Sequence, residues 1–471
     1  MKDEVDNQLN HRPVFYDPTH RRLFILAAVS LALFLLWLYF RIFEPIGLFS
    51  FSAFVIIPIR RRFVFLLNRV MLLLLALHYL KLFIFVLSAR RSRKQDNVIN
   101  MPKVCAIIPA FNEEKVIVKT VKSVLASDYS RIEVYVVDDG SSDRTAEVIE
   151  KAFHGDGRVH LIRQENSGKA AALNRGIEAA EAELLLLLDA DTVVAPDAVS
   201  LMARHFADLR VAAVSGNTRV GNVTNLITRC QKVEYIRDFN LIKNGMSHLM
   251  CMAVVPGALG MWRRTAVQGA GGFSAQTLGE DRDLTMALLK KGERVVFEPM
   301  AFSWTEAPAS LSAFMRQRFR WTYGTLQCAV KYLRSMFSLR SPGLGFLLLP
   351  DLLLFQTLVP CVSAIGLVTN LFEPLQSELI LLAVSFCLAL ILELVLYLLA
   401  HLFTKERPGV ADLLTIIPQR ILYGVLLTYL IFKSLLTAFI GGGVGWNKLE
   451  RVGNVDDTKQ NKQSYLREAM R

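Results

Sequence analysis

The stretch Leu184-Leu185-Leu186-Leu187-Leu188-Asp189-Ala190-Asp191 decides how the middle of this chain folds. Five consecutive leucines suit a buried strand, and by periodicity alone they would equally suit a turn of buried helix. The acidic turn that follows favours the strand. Outward from it, residues 104–110, 132–137, 159–162 and 211–215 are further short apolar runs, separated by helical patterns such as 113–127 and 169–182. This alternation predicts βαβ units, a parallel sheet, and ligands at the carboxyl ends of its strands.

On both sides the chain changes character. Residues 23–40 are uncharged, lie between Arg21-Arg22 and Arg41, and end in the interfacial set Trp37, Tyr39 and Phe40. Eighteen such residues cross a hydrocarbon core at 1.5 Å per residue, and the run lacks the shorter core and small-residue cleavage site of a signal peptide. Residues 70–88 form a second candidate span, while the 46–59 run, short and followed by Arg60-Arg61-Arg62, reads as re-entrant or interfacial. Beyond Arg340, spans are expected at 352–372, 379–403 and 421–440. Glu393 and Lys433 within them are costly in lipid and should face protein or a cavity. The basic clusters at 89–94 and 316–340 put both edges of the middle domain in the cytoplasm. Counting spans then puts the tail after Gly441 outside, whereas its Lys448, Arg451, Lys459 and Lys462 favour the cytoplasm. The organisation expected is a tail with two or three spans over 1–94, a cytoplasmic domain with interfacial helices over 95–340, three or four spans over 341–445, and a basic tail over 446–471.

Composition agrees. Of 471 residues, 53% are hydrophobic and 20% charged, too apolar for an ordinary soluble enzyme and too charged for a bare membrane bundle. Disorder, collagen-like repeats and a disulfide scaffold are excluded. Cys105, Cys230, Cys251, Cys328, Cys361 and Cys387 form no C-x-x-C pair and read as buried thiols in a reducing compartment. The formal charge of +12 crowds the ends of apolar runs, which points to a bilayer and an anionic substrate rather than nucleic acid.

Four turns at strand ends carry the chemistry. Pro109-Ala110-Phe111-Asn112-Glu113 can hold a flat base or simply start a helix with Asn112 as cap. Asp138-Asp139-Gly140 places two consecutive carboxylates where they repel each other and need donors, although Ser142 or Asp143 would also cap a helix. Asn166-Ser167-Gly168-Lys169 opens a helix whose N-terminus attracts phosphate; it is not a P-loop. Asp189 and Asp191 offer hard oxygens for Mg²⁺ or Mn²⁺ on a diphosphate. Asp281-Arg282-Asp283 has the same spacing, so it is the position after the leucines that is informative. Further on, Glu280 and Asp281 begin a helical pattern, as general base or as cap. Gln317-Arg318-Phe319-Arg320-Trp321 lies in a basic amphipathic stretch, suited to an interfacial helix or to neutralising a leaving diphosphate with Arg320 and stacking a sugar on Trp321.

The ordered series Asp138-Asp139-Gly140, Asp189-Ala190-Asp191, Gly279-Glu280-Asp281 and Gln317-x-x-Arg320-Trp321 resembles the membrane-integrated processive glycosyltransferases of family 2, the cellulose, chitin, hyaluronan and poly-N-acetylglucosamine synthases. The resemblance covers roughly residues 100–330 and the flanking spans. It implies an α/β, GT-A-type (Rossmann-like) cytoplasmic domain flanked by transmembrane helices. It further implies uridine binding by Asp139 with Asp138 and the turn from Pro109 and Ala110 to Glu113, and metal binding by Asp191 beside Asp189. Diphosphate contact would come from Lys169, Arg320, Arg318 and Gln317. Asp281 would be the base, assisted by Glu280, Gly257 and Ala258 the acceptor-side turn, and Trp321 the acceptor platform. Gly279 departs from the usual Thr, and no segment resembles the cyclic-dinucleotide-binding module of bacterial cellulose synthases. Thr305-Glu306-Ala307-Pro308 and the compact length look most similar to bacterial poly-N-acetylglucosamine and nodulation-type chitooligosaccharide synthases.

The expectation is therefore a multi-pass enzyme of the inner membrane. It would transfer a sugar, best N-acetylglucosamine, from a UDP-sugar to a growing β-linked polysaccharide with inversion, moving the product across the membrane with or without export or accessory proteins. A polyprenyl-phosphate monosaccharide transferase shares the nucleotide-binding turns but not the Gln317 to Trp321 motif. A transporter or scaffold that lost catalysis is disfavoured by intact Asp139, Asp191 and Asp281.

Overall fold

The computed structural model describes residues 59–89, 102–372, 376–404 and 408–441, and the tail residues 451, 453 and 455. The expected span 23–40, and the 46–59 run apart from its last residue, lie outside the described residues. The chain enters on helix α1 (Ile59–Ser88), of which Phe65–Ser88 is long and apolar enough to cross a membrane.

The expected alternation follows. Strand β1 (Val104–Ala110), helix α2 (Ile117–Leu125), β2 (Ile132–Asp139), α3 (Thr145–Ala152), β3 (Val159–Gln164), α4 (Lys169–Ala179) and β4 (Leu184–Leu187) occur in this order. In the sheet they lie side by side as β3-β2-β1-β4, all parallel, with Val104 level with both Ile132 and Leu184. Successive strand side chains point to opposite faces. Cys105, Ile107, Leu185 and Leu187 pack on Ala172, Leu173 and Ile177 of α4, while Val104, Ile108, Leu184 and Leu186 meet Ile117, Val121 and Val124 of α2. Each such side chain contributes about 1.5–3 kcal/mol on burial. A sheet covered on both faces explains why its strands read as unbroken apolar runs. Because the chain leaves β1 toward β2 on one side and returns on the other to β4, a crevice opens beyond the carboxyl ends of β1 and β4.

The sheet is not wholly parallel, which corrects the expectation. It continues from β4 through β7 (Gly260–Arg263), β6 (Val211–Val220), β8 (Arg294–Thr305) and the two-residue β5 (Val193–Val194). β7 runs antiparallel to both β4 and β6, and β5 antiparallel to β8. Alternation has the same period in either direction, so the sequence pattern does not fix which way a strand runs.

Two helices lie between the sheet and the membrane segments. Helix α5 (Leu226–Arg237) begins at a reciprocal cap, in which Asn225 Oδ1 accepts from Thr228 N–H and Thr228 Oγ1 accepts from Asn225 N–H, each at 3.0 Å. It continues as a π-helical turn, Asp238–Lys243. After α6 (Glu280–Lys290), helix α7 (Leu311–Lys331) is capped by Ser310. Three further helices long and apolar enough to cross a membrane follow: Gly343–Thr369, Leu382–Leu402 and Val410–Ile440. The last starts before the expected residue 421. Its early charges are neutralised, Asp412 by Lys232 at 2.5 Å and Arg420 by Glu393 at 3.6 Å, so they do not end the apolar segment.

Glu393 also pairs with Arg237 at 2.5 Å, and Lys433 sits over the Phe319 ring, so both intramembrane charges face protein. The Val410–Ile440 helix meets the soluble domain near its start through Lys232 and near its end, where Ala438 packs with Val330. Arg451, Gly453 and Val455 then contact that domain directly. Of the cysteines, Cys387 is exposed on the Gln376–Thr404 helix, against the expectation of burial, and the other five are buried.

Candidate active site

The crevice beyond β1, β2 and β4 collects the acidic turns. Asp139 is buried and both its oxygens accept hydrogen bonds: from Gln164 Nε2 at 2.7 Å, Ser167 N–H at 2.9 Å and Gly168 N–H at 2.9 Å. It thereby shapes the turn that feeds Lys169 into the N-terminus of α4. Asp138 accepts from Ser141 N–H at 3.0 Å, and Gly140, with φ +74°, sits so close to Asn166 that a Cβ would lie 2.8 Å from its backbone nitrogen. Asn112 does not cap α2, which starts at Ile117 without a side-chain cap. Instead its Oδ1 accepts from Ser142 N–H at 2.7 Å, joining the Pro109–Glu113 turn to the β2 turn. Asp143 accepts from Thr145 N–H at 2.9 Å and so serves the first turn of α3.

Charge converges on Lys169. Its amine is 2.8 Å from Asp189 Oδ1 and 2.9 Å from Glu280 Oε1. Burial would lower it, but Asp189, Asp281 and Glu280 outweigh that and hold it well above the usual lysine range. Burial likewise works against the charged forms of Asp189 and Glu280, and Lys169 with Arg320 reverses the effect, leaving both carboxyls below their usual values. Gly257 lies in the middle of this group. A Cβ there would be 2.9 Å from Lys169 Nζ, 3.0 Å from Asp189 Oδ1 and 3.1 Å from Asp281 Oδ2, so a larger residue would push these charged groups apart. The Gly257 N–H donates to Asp281 Oδ2 at 2.8 Å and its carbonyl accepts from Asp189 N–H at 2.8 Å.

Asp281 is the one carboxyl here whose surroundings suit proton transfer near neutrality. Burial pushes it up to about 7, Lys169 opposes, and the charges of Glu280 and Asp189 add to the rise. A base of that pKa is about half ionised near neutrality and can take up a proton there.

Asp191 behaves differently. Its side chain is 2% exposed, Arg451 reaches it at 3.0 Å, and Thr305 Oγ1 lies 3.3 Å from both of its oxygens. Burial raises it by more than Arg451 lowers it. Among the described residues no three His, Cys, Asp or Glu side chains gather closely enough to form a metal cage by themselves. Arg451 also donates to the Glu306 carbonyl at 2.7 Å, and Gly453 N–H to Glu306 Oε2 at 2.9 Å. Nothing in the local sequence around Arg451 signals this role, because the contact joins distant parts of the chain.

A cavity of about 720 Å³ runs from this cluster toward the membrane helices. Lys169, Asp189, Gly257, Ala258, Glu280, Asp281, Gln317, Arg318, Arg320 and Trp321 all line it, and so does Arg451, whereas Pro109, Ala110, Glu113, Asp138, Asp139 and Asp191 do not. Gln317 is buried, and among the described residues its Oε1 has no hydrogen-bond partner. Arg318 does not point to free solvent: it forms two hydrogen bonds of 2.7 Å to Glu234, whose carboxylate also accepts from the Tyr423 hydroxyl, and its guanidinium stacks 4.7 Å from the Trp321 ring. At Arg318 this buried pairing stands where the sequence pattern suggests the positive face of an interfacial helix or a substrate contact. Farther along, Lys81, Glu393, Gln419 and Arg420 line the same cavity from the membrane helices.

Comparison with known proteins adds a family. Residues 105–263 match the family described as Glycosyl transferase family 2. A poly-beta-1,6-N-acetyl-D-glucosamine synthase of Staphylococcus aureus is 33% identical over 235 residues, 50% of this chain and 57% of that protein. The synthase of the same name from Staphylococcus epidermidis is 30% identical over 219 residues, 46% of this chain and 53% of that one. The chain thus spans little more than half the length of these relatives. A solved mannosyltransferase of Pyrobaculum calidifontis, in complex with GDP-Man and Mn²⁺, shares the fold, with a TM-score of 0.62 and 20% identity over 82% of this chain and 100% of that one.

Proposed function

Because residues 105–263 form a glycosyltransferase family 2 domain, set among helices able to cross a bilayer, we propose that this protein transfers a sugar, best N-acetylglucosamine, from a UDP-sugar to a growing β-linked polysaccharide, with inversion and processively, and passes the product toward the membrane. The observation that carries the reading is a single cavity lined at one end by Lys169, Asp189 and Asp281 and at the other by membrane helices, with Trp321 along its wall.

In this reading Asp281 takes the proton of the acceptor hydroxyl as that oxygen bonds to the anomeric carbon and the bond to the diphosphate breaks. Single displacement inverts the centre, so an α-linked donor gives a β-linked product. Lys169 and Arg320 meet the charge on the leaving diphosphate, and Asp139 keeps the loop before Lys169 in shape for the nucleotide. Gln317 offers its unpartnered oxygen to a ligand hydroxyl. Trp321, its ring backed by Arg318, gives the acceptor sugar a flat face.

The buried carboxylate of Asp191, with Asp189 two residues away, fits Mg²⁺ or Mn²⁺: both are hard-oxygen donors, and such ions are commonly held by one or two carboxylates plus substrate phosphates. When bound, the ion would neutralise diphosphate charge. The basic clusters flanking the domain support a cytoplasmic catalytic domain in a multi-pass protein of the inner membrane.

The test is incubation of the purified full chain in detergent with UDP-N-acetylglucosamine, UDP-glucose or UDP-glucuronate, followed by sizing of labelled product. A long polymer from one donor is expected. A single sugar added to an added polyprenyl phosphate would replace this reading with lipid-linked monosaccharide transfer, and no donor turnover would remove catalysis altogether.

A further inference from the structure

The side chain of Arg318 is fixed from two directions. Its Nη1 and Nη2 donate to different oxygens of Glu234, each at 2.7 Å, and the two side chains are only 7% and 14% exposed. Aromatic rings surround the guanidinium, with centroids at 4.7 Å for Trp321, 5.3 Å for Phe314 and 5.6 Å for Tyr423. The Tyr423 hydroxyl donates to Glu234 Oε2, the oxygen that also accepts from Arg318 Nη2. Three elements meet here. Glu234 lies on α5, Arg318 and Trp321 lie one turn apart on the same face of α7, and Tyr423 ends the π-helical turn Gln419–Tyr423 within the last membrane helix. Gln419 of that turn donates to the Cys230 carbonyl of α5 at 3.0 Å, which holds the turn against the network from a second point. Glu234, Arg318, Trp321 and Tyr423 all line the central cavity.

A buried ion pair adds little net stability over apolar side chains of the same volume, because desolvation offsets the attraction. What a two-pronged pair adds is geometry. The fork fixes the plane of the guanidinium against the carboxylate, and a plane fixed over an indole restrains that ring in turn. Trp321 needs the restraint, since at 38% exposed it has less packing than a core ring to select one rotamer. With the guanidinium over one face, the other is left for a neutral sugar, which requires a flat apolar surface and no counter-charge.

We propose that Glu234 and Tyr423 are positioning residues that hold Trp321, through Arg318, in the orientation that stacks the acceptor sugar. This deepens the glycosyl-transfer reading and rests on its acceptor platform. The setting of that platform then depends on a hydroxyl carried by the last membrane helix.

The experiment measures equilibrium binding of a β-1,6-linked N-acetylglucosamine tetrasaccharide to the UDP-loaded full chain in detergent. Trp321 is followed on the same protein by its fluorine resonance after fluorotryptophan labelling, assigned by its loss in Trp321→Phe. Glu234→Gln keeps the shape of the side chain and weakens the fork, whereas Tyr423→Phe keeps the ring, removes one donor and leaves the Arg318 pair intact, so it reports even where the first variant does not fold. Each should shift or broaden the Trp321 resonance. Tetrasaccharide binding should weaken in both, by about fivefold in Glu234→Gln, the worth of one stacked ring, with UDP affinity within about twofold of wild type. In a Trp321→Ala background the same substitutions should change tetrasaccharide binding by less than about twofold, because their effect passes through the ring. Equal losses in both backgrounds, an unmoved Trp321 resonance, or undiminished binding in both variants overturns the assignment. Turnover of UDP-N-acetylglucosamine on the same samples separates the two claims: ring-dependent tetrasaccharide binding without turnover breaks the transferase reading alone, and turnover with equal losses in both backgrounds breaks the positioning role alone.

Discussion

The guanidinium of Arg451 lies 3.0 Å from the buried carboxylate of Asp191, so the C-terminal tail supplies a cation to the strand-end carboxylate proposed above to bind a metal. A divalent ion held there would compete with Arg451 for the same negative charge. Arg451→Ala should therefore lower the Mn²⁺ concentration needed for half-maximal stabilisation of the protein. In chelator the variant should lose up to about 3 kcal/mol, because a buried carboxylate is left unpaired. Thermal unfolding with and without Mn²⁺ checks this, and a variant indifferent to metal would separate Asp191 from metal binding.

Asp281→Asn keeps the size of the side chain and removes its proton acceptor. Transfer should fall by about two to four decades while UDP binding changes only a few-fold. Turnover close to wild type would reassign Asp281 to holding the Gly257 turn.

The elevated pKa of Asp281 fixes a pH dependence. In the proposed reaction the reactive form is the carboxylate, which prevails only above about pH 7, so kcat/KM should rise with pH through that value and level off above it. Glu280 contributes part of the elevation by like charge, and its removal also leaves Lys169 freer to act on Asp281. Glu280→Gln should therefore shift the acid limb to lower pH. A limb that stays in place or moves up would exclude Asp281 as the titrating base.

Trp321 is 38% exposed and borders the cavity, so a sugar can reach its face. Stacking there is worth on the order of 1 kcal/mol, enough to bias a chain between release and another addition. Trp321→Ala should shorten the polymer far more than it weakens UDP binding. Unchanged product length per folded enzyme would make the ring only a packing element beside Arg318.

Gly257→Ala introduces a Cβ among Lys169, Asp189 and Asp281 and should reduce turnover severely with little change in membrane insertion. Activity near wild type would show that the three charged groups can spread apart without cost to the reaction.

Local pattern alone determined the first half of the sheet. The apolar runs of β1, β2, β3 and β4, the acidic turns after β2 and β4, and the apolar segments after Arg340 are each written in contiguous residues, because burial of a strand or a membrane helix is imposed position by position along the chain. The same was true of which residue types could do chemistry. Tertiary structure decided the rest. It set β7 antiparallel between β4 and β6, since alternation carries no direction. It buried Arg318 against Glu234 where amphipathicity suggested the positive face of an interfacial helix. It brought Arg451 to Asp191 and Lys169 between Asp189 and Glu280, because electrostatic partners are chosen by distance in space, which separation along the chain does not encode.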